Sequence, residues 1–140
     1  MTTSSAAPAP PPAGPVPPDR PDVSALLGDW LNTDRGAVSK GPLRLTVTDG
    51  GTSLSVRAIG SEPLRTRDWG EVPAAVHTAP GAPSVVWSFT AVYELDGSRT
   101  VLSAYHKTGI LVVTASRIPL DGERPGEWTR SFFHRFREGT

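Results

Sequence analysis

The chain has 140 residues, no cysteine, and 14 Lys and Arg set against 14 Asp and Glu. It is therefore one small domain with no disulfide framework, no thiolate nucleophile and no Cys-ligated zinc or iron–sulfur cluster. Zero formal charge leaves no basic excess for a nucleic-acid or anionic-membrane surface.

Residues 1–21 hold eight of the 15 prolines among Ala, Ser, Thr and Gly. With almost no large apolar side chain to bury, this stretch reads as a disordered, Pro/Ala-rich tail with polyproline II character. It carries neither the basic start nor the apolar run of a secretory signal, so the expected location is the cytoplasm. The longest apolar runs, such as Ile110-Leu111-Val112-Val113, are far shorter than the roughly 18 to 20 residues of a membrane span. The expected domain is residues 22–140.

From Asp22 the pattern changes. Asp22-Val23-Ser24-Ala25-Leu26-Leu27 carries a helix start signal and predicts about one turn of helix ahead of Gly28. Eight runs of alternating apolar and polar residues follow: Leu26–Thr33, Pro42–Thr48, Thr52–Ile59, Trp69–Thr78, Ser84–Leu95, Ser98–Lys107, Gly109–Ile118 and Glu127–Arg137. Each is closed by Gly, Pro, Asp or Asn, as consecutive antiparallel strands are. Asp49-Gly50-Gly51, Asp96-Gly97 and Thr108-Gly109 are tight-turn sequences, so neighbouring strands should pair in order. Closure removes the exposed edges of eight sequential strands, which predicts an all-β, eight-stranded antiparallel up-and-down β-barrel, with a two-sheet sandwich as the alternative.

The opening Leu27-Gly28-Asp29-Trp30-Leu31-Asn32 resembles the first strand of the calycin barrels (lipocalins, fatty-acid-binding proteins, avidins), where a Gly-x-Trp lies at the closed end. The closing strand from Glu127 to Arg137 resembles their last strand, in which a basic residue covers that tryptophan. The resemblance spans most of residues 26–137 and implies a barrel that holds one small molecule. Within it, Asn32 matches a position that holds biotin in avidins, while Gly36 stands where a serine would be expected.

Periodicity alone assigns faces. On Ser84–Leu95 the aromatic face Val85, Trp87, Phe89, Ala91, Tyr93 and Leu95 is expected inward. On Ser98–Lys107 the faces containing Tyr105 and His106 are equally apolar and neither is preferred. On the last strand Trp128, Arg130, Phe132, His134 and Phe136 are expected inward. Burying Arg130 and His134 needs partners: either Arg130 covers Trp30, or one of the two faces the cavity and binds a carboxylate or carries a proton. The expected ligand-lining residues are Asn32, Trp87, Tyr93, Tyr105, Arg130 and His134. The four tryptophans read as core and cavity lining.

No other chemistry has a motif. His77 and His106 lack a second ligand at metal spacing, so no metal and no cofactor is expected. Nucleophile elbows, phosphate loops and dinucleotide fingerprints are absent from the sequence. Two function classes follow. One is a lipocalin-like protein binding a small, largely apolar organic molecule in a barrel cup; the other is a cofactor-free cyclase or isomerase of a bacterial natural-product pathway using the same cup. The Ala/Pro/Gly/Arg-rich composition resembles that of a high-GC actinomycete and suits the second. The expected partner is a small molecule rather than nucleic acid or membrane, with a homodimer left open.

Overall fold

A computed structural model describes residues 21–33, 41–51, 53–61 and 66–136. The expectations for the Pro-rich tail and for Gly36 concern residues outside these. A 3₁₀ turn, Ser24–Leu26, precedes eight strands: β1 Gly28–Asn32, β2 Pro42–Asp49, β3 Leu54–Ser61, β4 Thr66–Ala79, β5 Ala82–Leu95, β6 Ser98–Lys107, β7 Ile110–Pro119 and β8 Glu127–Arg135. Each strand pairs antiparallel with the next, and β1 pairs with β8, so the sheet closes as the alternation and turn signals predict. Closure leaves no long edge on which another chain could add. No helix among the described residues is long and apolar enough to cross a membrane.

Turn chemistry sets the order of pairing. Asp96 and Gly97 have φ of 52° and 73°, and Thr108 and Gly109 have φ of 52° and 82°. Two successive left-handed residues form the type I′ turn, whose twist matches that of the strands it joins.

Trp30, Phe89 and Phe133 are the largest fully buried side chains, packed among Leu26, Leu45 and Leu102. Closing the foot of the barrel is the 3₁₀ turn, where the Asp22 carboxylate accepts the Ser24 N–H at 2.9 Å and Leu26 is turned inward. Asp22 also joins the sheet: its N–H donates to Ser84 O and its C=O accepts from Val86 N, both at 2.8 Å. The open end carries the β5–β6 and β7–β8 connections and the beginnings of β4, β6 and β8.

Two facing assignments need correction. β5 contains a bulge: Thr78 pairs with Val86 while His77 pairs with Ser88, which leaves Trp87 as an extra residue. The insertion reverses the side-chain parity. Phe89, Ala91 and Tyr93 point inward as expected, but Val86 replaces Val85 and Trp87, which stand outside. On β8 the whole expected face is reversed, with Phe133 buried and Trp128, Arg130, Phe132, His134 and Phe136 exposed. Pairing fixes this. Phe133 sits opposite Asn32 of β1 and Leu111 of β7, both of them buried. On β6 the inner face is Ser98, Thr100, Leu102 and Ala104, so Tyr105 faces out.

Candidate functional site

The closed end is built around Trp30. Its indole N–H donates to Leu26 O at 3.0 Å, and His106 meets its ring edge-on at 6.3 Å. The Arg135 guanidinium lies 4.5 Å from the Trp30 ring centroid and donates to Leu27 O and Ala25 O, each at 2.9 Å. Those carbonyls are ones a short helical turn leaves open, and the cation gains the face of the ring as well. Gly28 makes the approach feasible: its φ is +127°, and a Cβ there would stand 3.2 Å from Arg135 Nε. The basic cover of Trp30 is thus Arg135, not Arg130. All of these groups are engaged with one another, and the arrangement is structural.

Toward the open end the interior becomes polar. Asn32 is fully buried and its Nδ2 donates to Pro42 O at 3.2 Å. Tyr93 is 2% exposed, and its hydroxyl lies 2.8 Å from Val56 O and 3.1 Å from Gly70 O. Burial pushes this hydroxyl up to about 12, because the phenolate would lose its hydration. Trp69 meets the Tyr93 ring at 5.5 Å and lies flush on Gly60, where a Cβ would come within 2.4 Å of the indole nitrogen. A side chain at position 60 would therefore displace the ring. Trp69 occupies a second bulge, between Asp68 opposite Ile59 and Gly70 opposite Ala58.

At the rim, a pocket of about 340 Å³ is lined by Ser98, Arg117, Pro119, Arg124, Pro125 and Glu127. Its residues come from the starts of β6 and β8, the end of β7 and the β7–β8 connection. Ser98 and Pro119 are cross-strand partners, as are Arg117 and Glu127. Arg117 follows Leu111, Val113 and Ala115 on the inner face of β7. Two of the nearby charges are already held. Arg124 Nε donates to Asp121 at 3.1 Å, and Asp96 is ion-paired with Arg67. The hydrogen bond from Arg67 holds the Asp96 carboxyl below its ordinary range, and the charges of Arg67 and Arg117 add to this. Arg117 itself makes no hydrogen bond to an acid among the described residues. It is a guanidinium facing a small pocket with a serine hydroxyl and two proline rings beside it.

The six expected ligand residues divide. Asn32 and Tyr93 are inside and near the open end. Trp87, Tyr105, Arg130 and His134 are outside, and the first three come together there. Trp87 packs on Tyr105 at 5.5 Å, Arg130 Nη2 approaches the Tyr105 hydroxyl at 3.5 Å, and the Arg130 guanidinium lies 5.6 Å from the Phe132 centroid. Of the four tryptophans, Trp30 and Trp69 belong to the core while Trp87 and Trp128 do not. Sequence reasoning missed Arg117, although Leu111, Val113, Ala115, Arg117 alternate as one face of a strand and would place the arginine inward at the strand end. No group of three or more His, Cys, Asp or Glu able to hold a metal ion occurs among the described residues. Comparison with family models, with curated proteins and with solved structures finds no match for this chain.

Proposed function

We propose that the protein is a calycin-like barrel that binds a small organic acid at its mouth, with the acid's charged group on Arg117 and its apolar body against Pro119 and Pro125. The observation that carries this reading is the Arg117 guanidinium on the inner face of β7, which makes no hydrogen bond to a carboxylate among the described residues and lines a pocket of about 340 Å³. That volume lies at the lower end of the roughly 300 to 1,000 Å³ of small-molecule sites. An arginine offers a planar fork of donors that suits a carboxylate, and Ser98 adds a hydroxyl nearby. The calycin reading is supported by Gly28-Asp29-Trp30 at the closed end, with a basic residue of the last strand over the tryptophan.

Below the mouth the inner side chains named above are buried, so a ligand rests on top of the packed core rather than deep in the barrel. Native mass spectrometry of the purified protein, followed by calorimetric titration with a panel of aromatic and aliphatic carboxylic acids, tests the proposal. One saturable site per chain is expected. Arg117→Ala should lower its affinity by about 1.5 to 3 kcal/mol, the scale of a hydrogen bond to a charged group. Binding that ignores Arg117→Ala, or that is lost with Phe132→Ser on the outer wall, would overturn it. Chemical conversion of the bound acid would place the same site in the cyclase or isomerase class.

A further inference from the structure

We infer that the outer face of β5–β8 is the contact surface of a homodimer. All nine large apolar side chains that stand exposed among the described residues lie between Val85 and Phe136, and none lies on β2, β3 or β4. Three cross-strand rows organise the face. In one, Trp87 packs on Tyr105, Tyr105 sits opposite Val112, and Val112 opposite Phe132. The next runs Thr90, Ser103, Thr114, Arg130, and the third Val92, Val101, Ser116, Trp128. Arg130 is the sole charge in the three rows.

The order of sizes within the rows matters. The outside of a closed barrel is convex, so a partner touching its crown would lose contact on either side. In the second and third rows the crown strands β6 and β7 carry Val101, Ser103, Thr114 and Ser116, with Thr90 and Val92 of β5 and Arg130 and Trp128 of β8 on the flanks. In the first row Tyr105 and Val112 stand on the crown between Trp87 and Phe132. Small side chains on the crown of the second and third rows reduce the curvature there. Exposures of 64% for Trp128, 46% for Phe132, 45% for Val92 and 41% for Trp87 leave about half of this relief open to a partner.

A second copy is the occupant that such a face fits. With a two-fold axis along the strands, β5 of one subunit meets β8 of the other, so Trp87 faces the partner's Phe132 and Val92 the partner's Trp128. The two Arg130 side chains then lie on opposite margins and do not repel each other. A face nearly free of charge carries no pattern that would select an oppositely charged protein, and nothing that would repel its own copy. At about 4.8 Å between strands and about 3.3 Å per residue, the four strands over about ten residues each present roughly 600 Å² in projection, with Glu94, Arg99 and Lys107 at the ends, and side-chain relief must add to this to reach the ~800 Å² per partner of a stable interface. Aromatic residues with few charges also match the composition of interface cores.

Sedimentation velocity on the full chain, from about 1 to about 100 μM, tests the inference. A dimer is expected. Trp128→Ser and Phe132→Ser, both at exposed positions, should each raise its dissociation constant at least about 30-fold, as loss of a central aromatic anchor does, with unchanged far-UV circular dichroism. Arg57→Ser on the opposite wall should leave it unaltered. A chain that is monomeric throughout the range, or a dimer indifferent to both aromatic substitutions, would overturn the inference.

Discussion

The two halves of the barrel wall share an interior and differ in what they show to the outside. On β2–β4 the outward side chains are paired polar groups. Arg57 is joined to Asp68, Ser55 donates to Glu71, and Arg44 reaches Asp29 of β1 at 3.3 Å. On β5–β8 the outward positions hold Trp87, Val92, Tyr105, Phe132 and Trp128, and the Glu94–Arg99 pair lies at one end. The same alternation that gives one half a solvated surface gives the other a second apolar face. This difference teaches where pattern reading works: a strand whose apolar side is its buried side announces which way it faces, and a strand with an aromatic outer face, such as β8, does not.

That distinction explains what was legible. All eight strands and their order were, because each run is bounded by turn residues and the left-handed turns at Asp96-Gly97 and Thr108-Gly109 dictate hairpins. Asn32 inside β1 was legible from its spacing to Trp30. On β8 the aromatic face of Trp128, Phe132 and Phe136 is the more apolar by pattern, yet it is the outer one, and the inner face has Phe133 as its one large apolar residue among Thr129, Ser131 and Arg135. The strand's true facing depends on pairing with Asn32 and Leu111, which is a tertiary fact. The β5 error has a different source. One extra residue at Trp87 reverses the parity of the strand's first part, and no local residue preference marks it. The open-end pocket was missed for a third reason, since it is assembled from the ends of three strands.

If the halves are alike inside, inner substitutions should be costly in both. Trp30→Ala should lower stability by about 3 to 5 kcal/mol, and Leu45→Ala on β2 and Leu102→Ala on β6 by about 2 to 5 kcal/mol each, as measured by urea denaturation. A loss below about 1 kcal/mol for Leu102→Ala would show that the β5–β8 half has its core on the other face.

The arginines of β8 sharpen the assignment further. Arg135→Ala removes the ring contact and the donors to Ala25 O and Leu27 O, and should cost about 2 kcal/mol, given that hydrogen bonds involving a charged group are worth about 1.5 to 3 kcal/mol. Arg130→Ala should stay within about 0.5 kcal/mol, the range of surface changes. The reverse order would restore the facing that periodicity suggests.

Tyr93 tests the polar part of the interior. Tyr93→Phe leaves the Val56 carbonyl without its hydroxyl donor and should cost about 1 to 2 kcal/mol at neutral pH. The sign with pH follows from a folded value raised from 10.0 to about 12. The fold favours the protonated hydroxyl, so its contribution is intact below pH 10 and is lost as the pH rises toward 12. Wild type should therefore lose stability more steeply over this interval than Tyr93→Phe. Equal slopes would mean that the hydroxyl is not buried.

The smallest effect belongs to the polar half, and it separates the halves by acid. The Thr46 hydroxyl donates to Asp29 at 2.6 Å and Arg44 lies 3.3 Å away. The hydrogen bond from Thr46, helped by Arg44 and opposed by partial burial, holds the Asp29 carboxyl below its ordinary 3.8. A depressed folded value means that the ionised form is favoured in the fold. Its contribution is present above the unfolded value and is lost as the pH falls below about 3.8 toward the folded one. Because the Asp29 side chain is 36% exposed, solvent screens the pair, and Asp29→Asn should cost less than about 1 kcal/mol at pH 7. Denaturation at pH 7 and again near pH 3 should show the gap between wild type and Asp29→Asn closing in acid. A gap that persists would mean that Asp29 matters through packing against β2 rather than through its charge, and the contrast between a charged and an apolar half of the wall would then not extend to β1.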